Sequence, residues 1–271
     1  ALNSSLTADE IDEITGILNG TTNYILTCMF QEGAEFDVVL KRAQELGYAE
    51  RNPEADVEGY DACRKIAILS SLAFGQQVDY EDIYTEGITG ITAADILYAK
   101  KLGMSIKLLA YSKKEGNCFY AMVAPALLGP NDPLYSVNGV FNAIFVHGNV
   151  LGDAMFYGSG AGKLPTASAV VSDVVDEAKH LHRSIMSFWS SQKLELTDIS
   201  HSRKPFFVRA KGELSRDLPK VQEIFGPVTP VTVEGTQGEF GFVTEVISEA
   251  EYQEKAEKLG TVISRIRVRT V

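Results

Sequence analysis

Apolar and polar residues alternate along this chain with two different periods, and the period changes near Ser105. Before that point apolar residues recur every three to four positions, as in a helix that buries one face. This spacing predicts helices over residues 8–18, 25–32, 37–46, 60–74 and 93–102. Four of them are followed by a glycine, which commonly ends a helix: Gly33, Gly47, Gly75 and Gly103.

From Ser105 onward the apolar positions alternate with polar ones, which predicts strands over residues 106–112, 118–126, 142–147 and 153–157. A helical half followed by a mostly antiparallel sheet gives an α+β fold with the helices packed on one face. Because the other face of such a sheet must also be covered, a partner subunit is predicted.

The last third of the chain has an order of its own. A long helix is predicted over residues 166–182, with Phe188 and Trp189 in the core or an interface, and a polar linker follows over residues 191–203. Residues 204–271 then read as strand, helix, strand, strand, helix, strand, the ferredoxin-like pattern. The predicted organisation is therefore residues 1–190, a linker, and a small second domain over residues 204–271.

Composition narrows the class of protein. The chain has 271 residues, of which 45% are hydrophobic and 23% charged, as in a soluble globular protein. Its net charge of −11 argues against binding to nucleic acid, and no apolar run has the length of a membrane span. Three scattered cysteines, Cys28, Cys63 and Cys118, indicate neither a disulfide framework nor a zinc site, which predicts a cytoplasmic protein.

An acidic cluster lies at residues 47–65, GYAERNPEADVEGYDACRK. Asp61 and Lys65 are four residues apart on a predicted helix, so they share one face in the favourable acid-before-base order. Carboxylates that receive an amino group, beside a lysine that transfers a proton, would suit a small zwitterionic substrate. A solvated loop with a surface ion pair explains the same charge spacing, and spacing alone favours it.

Two further segments interrupt the regular pattern. Residues 19–24, NGTTNY, are interpreted as a polar break with Gly20 ending the first helix. Residues 158–162, GSGAG, precede a helix as a phosphate-binding loop does, but no parallel strand is predicted after that helix. In addition, Leu164 stands where a Walker loop has Ser or Thr. A flexible glycine turn that passes close to a ligand or to another backbone is therefore preferred.

The amino-acid sequences of three segments resemble those of homoserine dehydrogenase. The segments are GILNGTTNYIL at residues 16–26, AQELGYAERNPEADVEGYDACRK at residues 43–65, and the glycine loop at residues 158–162. Together they cover most of residues 1–190 in consistent order. The C-terminal unit is similar to the ACT domains that many members of this family carry, with KGEL at residues 211–214 in place of the usual loop.

The resemblance implies an enzyme that interconverts L-homoserine and L-aspartate 4-semialdehyde with NADP or NAD, on the route to threonine, methionine and isoleucine. Family members begin with an NAD(P)-binding domain, and no glycine-rich dinucleotide-binding unit is predicted within these 271 residues. The chain is therefore expected to be a C-terminal portion with little turnover by itself. A homodimer assembled through the sheet is also implied. The alternative is a catalytically silent, ACT-type amino-acid sensor.

The resemblance also assigns roles to individual residues. Lys65 matches the lysine at the reacting oxygen and is the predicted acid/base, and Asp61 matches the acid that orients it. The predicted substrate-binding residues are Glu50, Asp56, Gly20, Thr21 and Tyr48, and the glycines predicted near the nicotinamide are Gly158, Gly160 and Gly162. No metal ligand is assigned, because in this family much of the metal site lies in the nucleotide domain.

Overall fold

The fold is known from a computed structural model that describes residues 2, 5–183 and 189–270. It is a mixed α+β structure built on a large, mostly antiparallel sheet, as the sequence pattern predicts. Within the described residues, the sheet has ten strands.

The elements are as follows. The first half contains β1 (Ile11–Ile17), α1 (Gly20–Glu32), α2 (Phe36–Glu45), α3 (Glu54–Val57), α4 (Tyr60–Phe74), β2 (Gln76–Gln77), β3 (Tyr84–Thr85) and α5 (Ala93–Lys101). Next come β4 (Ser105–Glu115), β5 (Cys118–Leu128), β6 (Phe141–Gly148), β7 (Gly152–Ser159) and α6 (Lys163–Lys179). The remainder contains β8 (Ser190–Lys193), β9 (Arg203–Lys204), β10 (Phe206–Lys211), α7 (Leu214–Phe225), β11 (Val228–Val231), β12 (Glu239–Thr244), β13 (Ile247–Ser248), α8 (Glu249–Leu259) and β14 (Val262–Arg269).

Nine strands of the large sheet follow the order β11-β12-β10-β14-β5-β4-β1-β6-β7 within the described residues. The tenth, β3, pairs with β5.

The first predicted helix is wrong, because residues 11–17 form strand β1 in the middle of the sheet. It pairs antiparallel with β4 on one side and with β6 on the other. Ile14 and Thr15 point to opposite faces, yet both are fully buried. A strand buried on both faces has no strict alternation, so the spacing of its isoleucines resembles that of a helix.

The interpretation of residues 19–24 as a break is also wrong, since helix α1 begins at Gly20. The side chain of Asn19 caps this helix by accepting a hydrogen bond from the backbone N–H of Thr22. Asparagine is among the preferred N-cap residues. Gly20 is therefore the first residue of α1 and does not end a preceding helix.

The other predicted helices of the first half are confirmed as α2, α4 and α5. Gly33 and Gly75 end α1 and α4 in the left-handed conformation, with φ of 72° and 70°. Ala62 and Ile66 face the core from α4, which leaves Asp61 and Lys65 at the border of its apolar stripe. The main core lies between these helices and one face of the sheet.

The C-terminal third follows the predicted order of strands and helices, β10-α7-β11-β12-α8-β14. Its own apolar core includes Phe206, Val221 and Phe242. Strand β14 pairs in parallel with β5, so its strands continue the sheet of the first half. The domain boundaries and the ACT-type identity of this unit stay predictions.

The segment between the two parts contains a short strand. β8 pairs with β2, and Leu194 is buried against the main core. Trp189 donates a hydrogen bond from Nε1 to Oε1 of Gln77 (2.6 Å). Phe188, predicted in the core or an interface, lies outside the described residues.

Candidate active site

A cleft of about 400 Å³ opens where the N-terminus of α1 meets α3, α4 and the start of β6. Polar and charged side chains from α1, α3 and α4 line it, together with glycines of the loop after β7. Of the predicted site residues, the cleft brings together Lys65, Asp61, Asp56, Gly20, Thr21, Tyr48, Gly160 and Gly162. Glu50 and Gly158 are not among its lining residues.

Lys65 is held at the wall of this cleft by two acceptors. Its Nζ donates to Oδ2 of Asp61, one helical turn earlier, at 2.7 Å, and to the carbonyl oxygen of Leu18 at 3.1 Å. A lysine ammonium has three protons. Because these two acceptors, within the described part of the chain, take two of them, one proton is left to donate to a ligand.

Asn19 is the residue that assembles the acidic wall, and the sequence reasoning missed it. Its Nδ2 donates to Oδ1 of Asp56 (2.7 Å) and to Oδ2 of Asp61 (3.0 Å), while its Oδ1 caps α1. One amide thus joins α1, α3 and α4. An Asn immediately before a Gly-Thr-Thr run was an available N-cap signal, but nothing in the sequence pointed to the two carboxylates.

The charge balance of the wall is negative. Asp56 and Asp61 share the neutral Asn19 amide, and among the described residues that line the cleft Lys65 is their one cation. A ligand ammonium is therefore favoured beside Asp56, because Asp61 is already paired with Lys65.

The opposite charge preference arises at the first turn of α1. The first N–H groups of a helix have no partner within it, and they attract anions. Thr21 is fixed there by donating from Oγ1 to the carbonyl oxygen of Tyr48 (2.6 Å). The ring of Tyr48 packs against that of Tyr24, with the two ring centroids 5.0 Å apart. At Gly20 a Cβ would lie 2.9 Å from the carbonyl oxygen of Val140, so a larger residue would force the two apart.

The glycine loop contributes only its second part to the cleft. Gly160 packs against Asn142, whose amide would lie 2.7 Å from any Cβ at position 160. Gly162 has a φ of 113°, which favours glycine. Gly158 lies within β7, opposite Asn142, and a Cβ there would meet nothing within 4 Å. A close approach to other atoms therefore explains glycine at position 160 but not at 158.

Glu50 lies apart from the group. It is exposed on the loop between α2 and α3, where its backbone oxygen accepts a hydrogen bond from Nε2 of Gln44 (3.1 Å). Two further lining residues are Val140, immediately before strand β6, and Asn142, the second residue of that strand. They lie more than a hundred positions from α1, so no local sequence pattern could have linked them to the cleft.

Among the described residues no metal-binding cluster is present, and Cys63 is a buried thiol. Within residues 2, 5–183 and 189–270, no group of three His, Cys, Asp or Glu side chains is placed to hold a metal ion. Burial raises the pKa of the Cys63 thiol, as for a packed apolar side chain. None of the helices in the described ranges is both long and apolar enough to cross a membrane.

Comparison with known proteins identifies the family. The homoserine dehydrogenase family model matches residues 1–175. A homoserine dehydrogenase from Synechocystis is 54% identical over 179 residues, which are 65% of this chain and 41% of that protein. One from Bacillus subtilis is 46% identical over 184 residues, 68% of this chain and 42% of that protein. The chain therefore spans less than half the length of these relatives.

Solved structures extend the likeness to nearly the whole chain. The match to a homoserine dehydrogenase from Thiobacillus denitrificans covers 99% of this chain and 66% of that protein's chain, with a TM-score of 0.87 and 35% identity. A hyperthermophilic archaeal homoserine dehydrogenase mutant was solved in complex with NADPH. The match to it covers 68% of this chain and 52% of that protein's chain, with a TM-score of 0.57 and 30% identity. From its matched residues and its fold, this chain belongs to the homoserine dehydrogenase family.

Proposed function

We propose that this chain forms the substrate-binding part of an enzyme that interconverts L-homoserine and L-aspartate 4-semialdehyde with NAD(P)H. The observation that carries the proposal is the position of Lys65, held by Asp61 and Leu18 with one proton free at the wall of the cleft. The family match favours this enzyme over the catalytically silent sensor.

The proposed role of Lys65 follows from the charge that develops in the reaction. Reduction of an aldehyde places negative charge on its oxygen as hydride reaches the carbon, and a bound nicotinamide would supply that hydride. Lys65 stabilises this oxygen and donates the proton that completes the hydroxyl. Asp61 and the Leu18 carbonyl hold the ammonium in place, so little reorganisation is needed. In the oxidation direction the same group accepts the proton.

The remaining polar groups bind the two charged ends of the amino acid. Asp56 receives the substrate ammonium, and the first turn of α1, with Thr21, receives the carboxylate. Tyr48 and Gly20 shape the walls between them. Glu50 would join this set only if the loop between α2 and α3 folded inward.

The cofactor is proposed to be NADP or NAD, held mainly by a domain beyond these 271 residues. Gly160 and Gly162 lie at the edge of the cleft, where a nicotinamide ring could approach the substrate. Gly158 lies within β7 and does not line the cleft, so the geometry of the cleft does not support its proposed proximity to the ring.

Three further proposals concern the whole protein. A homodimer is supported by apolar side chains exposed on the edge strand β7: Met155, Phe156 and Tyr157 are 44%, 40% and 55% exposed. The C-terminal unit is proposed to be an ACT-like regulatory domain because its strand and helix order fits one. Membership of the family supports a cytoplasmic enzyme of threonine, methionine and isoleucine biosynthesis.

Binding of L-homoserine to this chain tests the proposal directly. Isothermal titration should detect L-homoserine binding, and L-2-aminobutyrate, which lacks the hydroxyl, should bind at least ~10-fold more weakly because the Lys65 proton is then unpaired. The variant Lys65→Met should reduce this discrimination, whereas Lys41→Met, at an exposed position of α2, should not. A wild-type chain that binds both ligands equally, or neither, would contradict the proposal.

A further inference from the structure

A short segment, residues 84–88, joins the C-terminal unit to the acidic wall of the cleft. It includes strand β3, which pairs with β5, and the three residues that follow. On one side it contacts β14 of the C-terminal unit, and on the other it packs against the end of α3. Its two contacts are of different kinds, one ionic and one steric.

The ionic contact is made by Glu86. Its Oε2 lies 2.9 Å from Nη1 of Arg267 and 3.3 Å from Nη1 of Arg265, both on β14. Arg267 is only 2% exposed and also pairs with Glu249, so it has little freedom to move. Although burial alone would raise the pKa of Glu86, the two guanidiniums hold it below its usual value. The backbone N–H of Glu86 donates to the carbonyl oxygen of Val123 (2.8 Å), which ties the segment to β5.

The steric contact is made by Gly87. A Cβ at this position would lie 2.3 Å from the carbonyl oxygen of Val57 and 2.5 Å from Cα of Glu58. Both atoms belong to the backbone, so no side-chain rotation could relieve the overlap. The next residue, Ile88, donates its N–H to the same Val57 oxygen (2.7 Å). The C-terminal end of α3 therefore rests directly on Gly87.

Helix α3 is only four residues long, and it carries Asp56 one residue before Val57. A shift of Val57 thus moves Asp56 relative to Asn19, whose Nδ2 donates a hydrogen bond to Oδ1 of Asp56 at 2.7 Å. We propose that Glu86 and Gly87 are positioning residues for Asp56: β14 fixes the segment through Glu86, and Gly87 fixes α3 against the cleft. The part of this inference that concerns the ligand rests on the proposed function, whereas the position of Asp56 does not.

The variants Gly87→Ala and Gly90→Ala form a matched pair. The Cβ at position 87 must displace Val57, whereas at position 90 it would meet nothing within 4 Å, and neither glycine has a positive φ. The first readout is the NMR signal of the Asn19 side-chain amide, which reports its hydrogen bond to Asp56 without any ligand. We expect this signal to move in Gly87→Ala and to stay in place in Gly90→Ala.

The second readout is the affinity for L-homoserine, which we expect to fall at least ~10-fold in Gly87→Ala and to be unchanged in Gly90→Ala. If Gly87→Ala fails to fold, Glu86→Gln takes its place, since it keeps the shape of the side chain and removes the charge that pairs with β14. An unmoved Asn19 amide signal in the folded variant would overturn the inference. Absence of homoserine binding by the wild-type chain would instead contradict the proposed function, and the amide signal would still decide the position of Asp56.

Discussion

Single side chains determine what the cleft can do, and Lys65 illustrates this most clearly. Its ammonium is oriented by one carboxylate and one carbonyl, so the direction of its remaining proton is defined before any substrate arrives. Such preorganisation is the main way in which a protein stabilises a developing oxyanion. In the proposed reaction, the contribution of Lys65 should therefore be larger in the transition state than in substrate binding.

In a fusion that places the nucleotide-binding domain of a relative before residue 1, Lys65→Ala should lower kcat by at least ~10²-fold, the scale for a lost acid/base group. Steady-state kinetics with L-homoserine would measure this, and circular dichroism would confirm the fold. Lys41→Ala serves as the control for loss of a lysine from a helix surface. An unchanged kcat in Lys65→Ala would remove Lys65 from the proposed role.

A second lysine, Lys107 on β4, is buried without a carboxylate partner among the described residues. Its Nζ donates to Oδ1 of Asn23 (3.2 Å), to the carbonyl oxygen of Val137 and to Oδ1 of Asn138 (2.9 Å). Burial lowers its pKa from 10.5 to about 8. The unfolded chain therefore binds this proton more tightly, so stability should rise with pH above 8.

Between pH 7.5 and 9.5 the wild-type chain should gain about 2 kcal/mol of unfolding free energy relative to Lys107→Met, as the linkage of a single shifted lysine requires. Urea denaturation of both chains at each pH measures their unfolding free energies. Tyrosines and cysteines that ionise in the unfolded state contribute equally to both chains, so their contribution cancels in the difference. Parallel pH profiles of the two chains would show that Lys107 is charged in the folded protein throughout this range.

At the scale of elements, the N-terminus of α1 has two functions in one residue. Asn19 caps the helix through its oxygen and holds Asp56 and Asp61 through its nitrogen. Serine can perform the first function but cannot reach both carboxylates, whereas alanine can perform neither. The two substitutions therefore separate helix stability from site assembly.

We expect Asn19→Ala to cost about 1 kcal/mol more unfolding free energy than Asn19→Ser, because only alanine removes the helix cap. Both variants should bind L-homoserine more weakly than the wild type, since both leave the two carboxylates without the shared amide. Chemical denaturation and isothermal titration measure the two effects. Wild-type affinity in Asn19→Ser would show that the amide nitrogen is not needed for the site.

The elements also show where sequence patterns succeed. Helices α2, α4 and α5 were predictable because each has one apolar face and a terminal glycine. Strand β1 was not, since it is buried on both faces. For α1, the Asn19 cap was readable as a signal, but the polar NGTTNY run concealed a helix start.

At the scale of the whole molecule, β14 connects the C-terminal unit to the rest through three arginines. Arg265 and Arg267 both pair with Glu86, and Arg267 also pairs with Glu249. Arg269 pairs with Glu13 and Asp132. Because Arg267 is buried, its removal leaves Glu249 partly buried without this partner and leaves Glu86 paired with Arg265 alone.

Arg267→Met should therefore lower the unfolding free energy by about 3–5 kcal/mol, the usual effect of breaking a buried ion pair from one side. Arg203→Met is the matched control, because Arg203 pairs with Glu251 at the surface and should change stability little. Guanidinium denaturation of both variants measures this. Equal stabilities would show that Arg267 contributes no more than a surface pair.

The same arginines predict sensitivity to acid. Burial alone would raise the pKa of Glu86 and of Glu13 above the ordinary value of 4.5. The charges of Arg267 and Arg265 nevertheless lower the pKa of Glu86, and Arg269 lowers that of Glu13. A carboxyl with a lowered folded pKa contributes stability above pH 4.5, and this is lost as the pH falls through the folded value. Thermal unfolding should therefore show a falling midpoint below pH 4.5, and a smaller fall in Arg267→Met.

The amino-acid sequence by itself determined the α+β class, most helices and strands, and the pairing of Asp61 with Lys65, because these depend on neighbours within one turn or one strand. The family resemblance, likewise readable in the sequence, pointed to most of the residues that line the cleft. Only the tertiary structure decided that Asn19 joins the two carboxylates, that Glu50 stays outside, and that Gly87 supports α3. Those contacts join segments far apart in the chain, where packing rather than local pattern sets which atoms meet.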